Sequence, residues 1–265
     1  FDSDGFSLGT YLDVNASGGT YVGWNWKANG AGSSNSDGDI TSTVSANTTA
    51  GFSIVTYTGN SSTSQTIGHG LGVKPKVLII KRLTGAAEST IYWQDTTGNG
   101  TADQRLLLSG TQANYNNYLV SFQNTTFTLP STNDTAWNST DTYVAYCFAE
   151  KTGFSKFGKY VGNGNSDGIF AYTGFKPAFV MLKESSNAEN WLIMDNKRLG
   201  YNKRNDLLFP NLNNAEQGHD RIDLLSNGFK INNDDGSINT SGATYIYMAF
   251  GQSLIGSNNI PATAR

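Results

Sequence analysis

The chain has 265 residues, a formal net charge of −3 and a charged fraction of 15%, well below the usual quarter or so. It is long enough for one large or two ordinary domains, and long enough to bury a core without disulfide or metal staples. Its 12% aromatic content excludes a disordered chain. The absence of a basic stripe argues against nucleic acid as a partner, and no apolar run is long enough for a membrane-spanning helix.

Residues 1–28 lead with a nonapeptide that recurs. TYVGWNWKA (20–28) returns as TYVAYCFAE (142–150) and as TYIYMAFGQ (244–252). Side chains alternate across a strand. One face of the repeated strand therefore carries Val144, Tyr146 and Phe148, matched by Ile246, Met248 and Phe250, and by Val22, Trp24 and Trp26. The opposite face (Tyr143, Ala145, Cys147) is also mostly apolar, which predicts a central strand covered on both sides. Trp24 and Trp26 thus read as core residues. The preceding stretch 2–19 resembles 227–243, so residues 1–28 are expected to be the closing hairpin of a β unit whose opening strands lie elsewhere. Either they belong to a longer protein, or the hairpin docks on a neighbouring module or subunit, since a lone hairpin is marginally stable.

Residues 29–50 are rich in Gly, Ser, Asn and Thr and read as a linker, or as an extended arm crossing a surface. From residue 51 a duplication begins. Gly51-Phe52-Ser53 and Gly153-Phe154-Ser155, GVKPKVLIIK (72–81) and GFKPAFVMLK (174–183), Phe127 and Phe229, and Thr142-Tyr143 and Thr244-Tyr245 all stand 102 residues apart. Residues 51–150 and 151–252 are thus two copies of one unit. Each contains a strand, a Gly/Asn turn, an apolar strand after a lone proline, a Trp strand, an Asn-rich middle and a closing hairpin. Short strands between frequent turns predict an all-β fold: two tandem, related, antiparallel β-sandwich (jelly-roll-like) units of about 100 residues plus the N-terminal hairpin. RIDLLSNG (221–228) is the one place where a helical turn is expected, ended by Gly228. Residues 253–265 form a C-terminal tail.

The chemistry-bearing residues form no familiar constellation. His69 and His219 lie in turn-like contexts without metal-ligand spacing, and the chain has no CxxC. GNGNSDG (162–168) stands between strands, whereas a phosphate loop needs a following helix. The acidic turns at 2–5, 36–39, 165–168 and 233–236 suit tight turns better than calcium loops. Cys147 aligns with Ala249 and reads as a small buried residue. Glu88, Glu150, Glu184, Glu189 and Glu216 share no motif for paired-carboxylate hydrolysis. Seven Asn-x-Ser/Thr sequons occur, at Asn15, Asn47, Asn60, Asn124, Asn133, Asn138 and Asn239. Trp93 and Trp191 occupy the same place in both units and read as core. Trp137 aligns with Asn239 at the 102-residue spacing, so the fold does not ask for it. It is the candidate for stacking on a sugar ring. No catalytic residue, metal site or cofactor is implied.

The stretches FDSDGFSLG…VNASGGTYVGWNWKA, DGDITSTVSANTTAGFSIVTYTGN and IGHGLGVKPKVLIIK resemble a virion-associated protein family of tailed, often marine, bacteriophages. So do TYVAYCFAEKTGFSKFGKYVGNGNSDGIFAYTGFKPAFVMLK, NWLIMDNKR and the closing ATAR. In that family such segments often follow a LamG-type jelly roll. The resemblance implies a non-enzymatic virion protein on the particle surface: a tail fibre, capsid fibre or decoration. It would assemble with itself, a trimer being plausible, and with other virion proteins. The alternative is an adhesin that recognises host-surface glycans. A polysaccharide depolymerase is the least supported reading.

Overall fold

The computed structural model describes residues 5–94, 102–113, 120–132, 134–198, 202 and 205–251. A four-residue helix, α1 (Leu12–Asn15), precedes the first strands. The first unit contains β1 (Ser33–Asn35), β2 (Ser42–Asn47), β3 (Phe52–Thr58), β4 (Thr66–Gly68) and β5 (Val77–Arg82). It continues with β6 (Thr90–Gln94), β7 (Ala102–Leu107), β8 (Ser121–Phe122), β9 (Thr126–Thr128) and β10 (Thr142–Phe148). The second contains β11 (Ser155–Val161), β12 (Phe170–Tyr172), β13 (Pro177–Glu184), β14 (Leu192–Asp195) and β15 (Asn205–Leu207). It continues with β16 (Gln217–His219), β17 (Ile222–Leu225), β18 (Gly228–Ile231), α2 (Gly236–Asn239) and β19 (Thr244–Gly251).

The fold is all-β, and each unit is a sandwich of a large and a small antiparallel sheet. In the first, the large sheet runs β1-β2-β3-β10-β5-β6-β7 and the small one β4-β9-β8. In the second, the large sheet runs β11-β19-β13-β14 and the small one β12-β18-β17, with β15-β16 as a separate pair. Strand for strand, β3, β10, β5 and β6 match β11, β19, β13 and β14, as the 102-residue repeat predicts. The repeated TY strands are central: β10 lies between β3 and β5, and β19 between β11 and β13.

Both faces of each TY strand are covered, by two different cores. Tyr143, Ala145 and Cys147 enter the first unit's own core, with Val55, Ile80, Phe127 and Trp137. Tyr245, Tyr247 and Ala249 do the same in the second unit. The other face turns to a third cluster, shared between the large sheets of both units and containing Phe52, Trp93, Phe148, Phe157, Phe179, Trp191, Met248 and Phe250. The units are thereby one apolar stack, with Trp191 Nε1 donating to the Leu107 carbonyl across the seam at 2.9 Å.

Four expectations are corrected. The closing pair of each unit is not a hairpin: β9 and β18 lie in the small sheets, β10 and β19 in the large ones. The chain crosses between layers through a short helical turn, α2 in the second unit. Residues 5–28 accordingly form no ladder, but α1 followed by an extended stretch. Residues 29–50 are not a linker. They supply β1 and β2, because Ser42 and Val44 alternate inward and the backbone pairs fully with β3, while the Ser42 hydroxyl donates to the Gly68 carbonyl at 3.0 Å. Residues 221–228 form β17 and a turn, since Ile222 and Leu224 bury with a period of two rather than of a helix.

Candidate functional site

Each unit is closed by one corner, built from the same residues twice. In the first, the Tyr57 hydroxyl donates to the Trp137 carbonyl at 2.7 Å and its ring stacks on Tyr143 with centroids 5.2 Å apart. The Tyr143 hydroxyl accepts from Ser139 N at 2.8 Å and donates to the Thr135 carbonyl at 2.9 Å. Asn138 Oδ1 accepts from Asn60 N at 3.0 Å. In the second, Tyr160 donates to the Ile238 carbonyl at 2.8 Å and stacks on Tyr245 at 4.9 Å. Tyr245 accepts from Thr240 N at 2.9 Å and donates to the Gly236 carbonyl at 2.6 Å. Asn239 Oδ1 accepts from Asn163 N at 2.9 Å. These bonds satisfy polar groups that would each cost about 1–3 kcal/mol if buried without a partner. The preceding glycine is obligatory: a Cβ on Gly59 would stand 1.9 Å from the Ser139 carbonyl oxygen, and one on Gly162 2.3 Å from that of Thr240.

This geometry corrects the reading of Trp137. Its structural counterpart is Ile238, not Asn239, because both carbonyls receive the tyrosine hydroxyl. The connection is one residue out of step with the 102-residue repeat here. Trp137 is fully buried in the core and cannot present a face to a sugar. Its Nε1 donates to the Thr132 carbonyl at 3.1 Å, and the Arg105 guanidinium lies 4.9 Å over its ring. Asn138 and Asn239 are buried too, so the folded corners are closed to glycans at these two sequons.

A third copy of the corner lies at the N-terminal end. Ala16 N donates to the Tyr21 hydroxyl at 2.9 Å, which donates to the Leu12 carbonyl at 3.1 Å. Asn15 Nδ2 donates to the Gly9 carbonyl at 2.7 Å, as Asn239 Nδ2 does to that of Asn233 at 3.0 Å. Gly18 and Gly242 both hold φ at +78°, the left-handed region that favours glycine. Every one of these residues stands 224 positions before its counterpart in the second unit.

From this corner the chain runs extended over the seam. Val22, Trp24, Trp26 and Ala28 are half-buried, and the residues between them exposed. Trp26 stands edge-on to Phe148 at 6.3 Å and to Phe250 at 5.4 Å, while Phe148 and Phe250 stand 5.9 Å apart. These three residues are equivalent positions of the three TY strands, so the strands converge on one point. Trp24 packs edge-on to Phe179 at 5.7 Å and donates from Nε1 to Asp195 Oδ2 at 3.2 Å. Beneath the two tryptophans lies a cleft of about 500 Å³, lined by Phe52, Phe154, Phe179, Asp195 and Phe250 among others. Sequence reading placed Trp24 and Trp26 in a core; the core is the one between units.

The titratable groups serve the scaffold. Burial pushes the Asp195 carboxyl up, but the Arg198 guanidinium and the Lys197 and Arg198 amides outweigh it and hold it below the usual carboxylate range. Burial lowers Lys183 to about 8, and its Nζ donates to the carbonyls of Glu184 and Asn187. Burial likewise lowers His69, whose Nδ1 accepts from Leu71 N at 3.2 Å. Burial raises the Cys147 thiol to about 12, which makes it unreactive near neutrality. Residues 2–4 of the first acidic turn lie outside the described residues; the other three turns use carboxylates locally: Asp39 on Thr66, Asp167 on Lys230, and Asp235 on Ser237 and Arg221. Of the five glutamates, Glu150 pairs with Lys156 and Glu216 with Arg198, and Glu184 accepts from the Ser186 hydroxyl and the Asn187 side-chain amide. Among the described residues no three His, Cys, Asp or Glu side chains are grouped to hold a metal ion, and no helix is long and apolar enough to cross a membrane. Trp93 and Trp191 are buried at the seam.

The fold and its corners define a duplicated β-sandwich protein with a third, partial copy of its closing element. The family described as "Domain of unknown function (DUF7483)" matches residues 1–253, and the chain belongs to it. No curated protein and no solved structure matches the chain.

Proposed function

We propose that the protein is a non-enzymatic structural protein of a phage virion, a tail fibre, capsid fibre or decoration exposed on the particle, assembling with copies of itself and with other virion proteins. The virion assignment rests on the resemblance of its long motifs. The observation that carries the structural role is how its polar and ionisable groups are used: Lys183, Asp195, Asn138 and Asn239 are buried into corners, loops and ion pairs. Six exposed large apolar side chains, Phe6, Leu8, Tyr11, Leu12, Val14 and Tyr21, are gathered instead on residues 6–21, where a protein partner would bury them. Antibody labelling of purified particles, with protein mass spectrometry of the same sample, tests this. The chain should be found at stoichiometric copy number on a fibre or shell. Its absence from purified particles would overturn the proposal.

A second reading, glycan recognition, is favoured by one feature. Phe170 and Tyr172 stand on the same face of β12, 44% and 63% exposed, where the equivalent strand of the first unit carries Thr66 and Gly68. The fold does not need aromatic rings there, and an exposed pair can stack on a sugar. Binding on a glycan array that is lost in Tyr172→Ala would support this reading; a blank array would remove it.

A further inference from the structure

We infer that residues 5–28 are the closing half of a third unit and form a docking site for the opening strands of a unit of the same kind, an apolar strand ending in Tyr-x-Gly-Asn. The two complete units define what fills the site. Tyr57-Thr58-Gly59-Asn60 and Tyr160-Val161-Gly162-Asn163 end β3 and β11, and each inserts its tyrosine hydroxyl and its asparagine amide into the corner. The N-terminal corner offers the same acceptors at the same spacing, the Val14 carbonyl and Asn15 Oδ1. Among the described residues no tyrosine hydroxyl reaches the first and no backbone amide the second.

The apolar side chains repeat the pattern. Val14 and Tyr21 are 44% and 51% exposed, whereas their counterparts Ile238 and Tyr245 are at 0%. The backbone does as well. β10 and β19 are paired along both edges, while residues 20–28 enter no ladder among the described residues. An extended segment outside any ladder, with half a core and a preformed corner, matches donor-strand addition, in which main-chain bonds give affinity and side-chain pockets give register. The third position against Phe148 and Phe250 is already held by Trp26, so the incoming strands would complete a third sandwich around the same point.

The occupant is an opening segment from outside residues 5–251. A second copy of the chain is a poor donor, because its Tyr57 and Tyr160 already fill their own corners and withdrawing them would open a buried core. The inference goes beyond the proposed function and does not depend on where the protein acts.

The test joins a second copy of residues 151–227 directly ahead of Gly5 in the full chain, reproducing the Asn227–Gly228 junction. Amide exchange across residues 8–28 should slow at least ~100-fold relative to the unmodified chain, as for a segment moving from local fraying to cooperative protection. Asn15→Ala, or Tyr160→Phe with Asn163→Ala in the added copy only, should reverse this. Independently, a synthetic peptide of residues 154–166 should bind the unmodified chain, and bind less well to Asn15→Ala. Unchanged exchange in the joined chain together with no peptide binding would overturn the inference. The unmodified chain at tens of micromolar should leave residues 8–28 unprotected; a self-association that protects them would assign the site to a second copy and overturn the choice of occupant.

Discussion

Asn239 and Asn15 occupy the same place in the same corner, and each donates to the carbonyl six residues before it. Around Asn239 the corner is closed: Tyr160 stacks on Tyr245, Asn163 is clasped, and Ile238 is buried. Around Asn15 the same turn, left-handed glycine and tyrosine bond are present, but the apolar faces meet solvent. The difference teaches that the turn from small to large sheet is specified locally, by a dozen residues, whereas burial needs strands 76–80 residues away along the chain. A local corner can therefore stand preformed before, or without, the strands that close it.

The comparison can be broken most sharply at Trp137. If it is the first unit's counterpart of Ile238, Trp137→Ala should cost about 3–5 kcal/mol of unfolding free energy in denaturant titration, as for large core truncations. A loss below about 1 kcal/mol would return Trp137 to the surface. Next comes the half-buried Trp26, the N-terminal segment's anchor on Phe148, Phe179 and Phe250. Trp26→Ala should cost about 2–3 kcal/mol, less than a full core truncation because of its exposure. It should also raise proteolytic cutting before residue 29 while leaving β2 intact. The smallest effect concerns Lys183, whose first-unit equivalent Lys81 is only half-buried and donates to the Ala87 carbonyl. The folded-state value of Lys183, about 8, lies below its ordinary value of 10.5. Between these the unfolded chain holds more protons, so stability should grow with pH, by about 1–2 kcal/mol. Lys183→Met should remove that rise in chemical-denaturation curves taken at pH 8 and 10.5.

Much of the fold is legible in the sequence. The 102-residue spacing fixes the two units, and the doubly apolar TY strand announces a central strand with two covered faces. Other features are not legible for physical reasons. A hairpin and a sheet-to-sheet corner share the same period-two strands and Asn/Gly turn, and only the direction of the connection separates them. β2 is hidden because its apolar content is low: Ser42 takes an inward place and Ser45, on the opposite face, lies under residues 29–30, both satisfied by hydroxyl bonds. The Trp137 register fails because its connection departs by one residue from a spacing that holds for the strands. The third corner is half visible: the likeness of 2–19 to 227–243 points to it, but the shared tyrosine bond appears only in three dimensions.

The distinction between closed and open corners is tested most directly by measuring Asn239→Ala and Asn15→Ala side by side in the same chain. Asn239 loses buried bonds to Asn163, Asn165 and Asn233 and should cost at least about 2 kcal/mol, while exposed Asn15 should cost less than about 1 kcal/mol. Equal losses at the two positions would contradict the account.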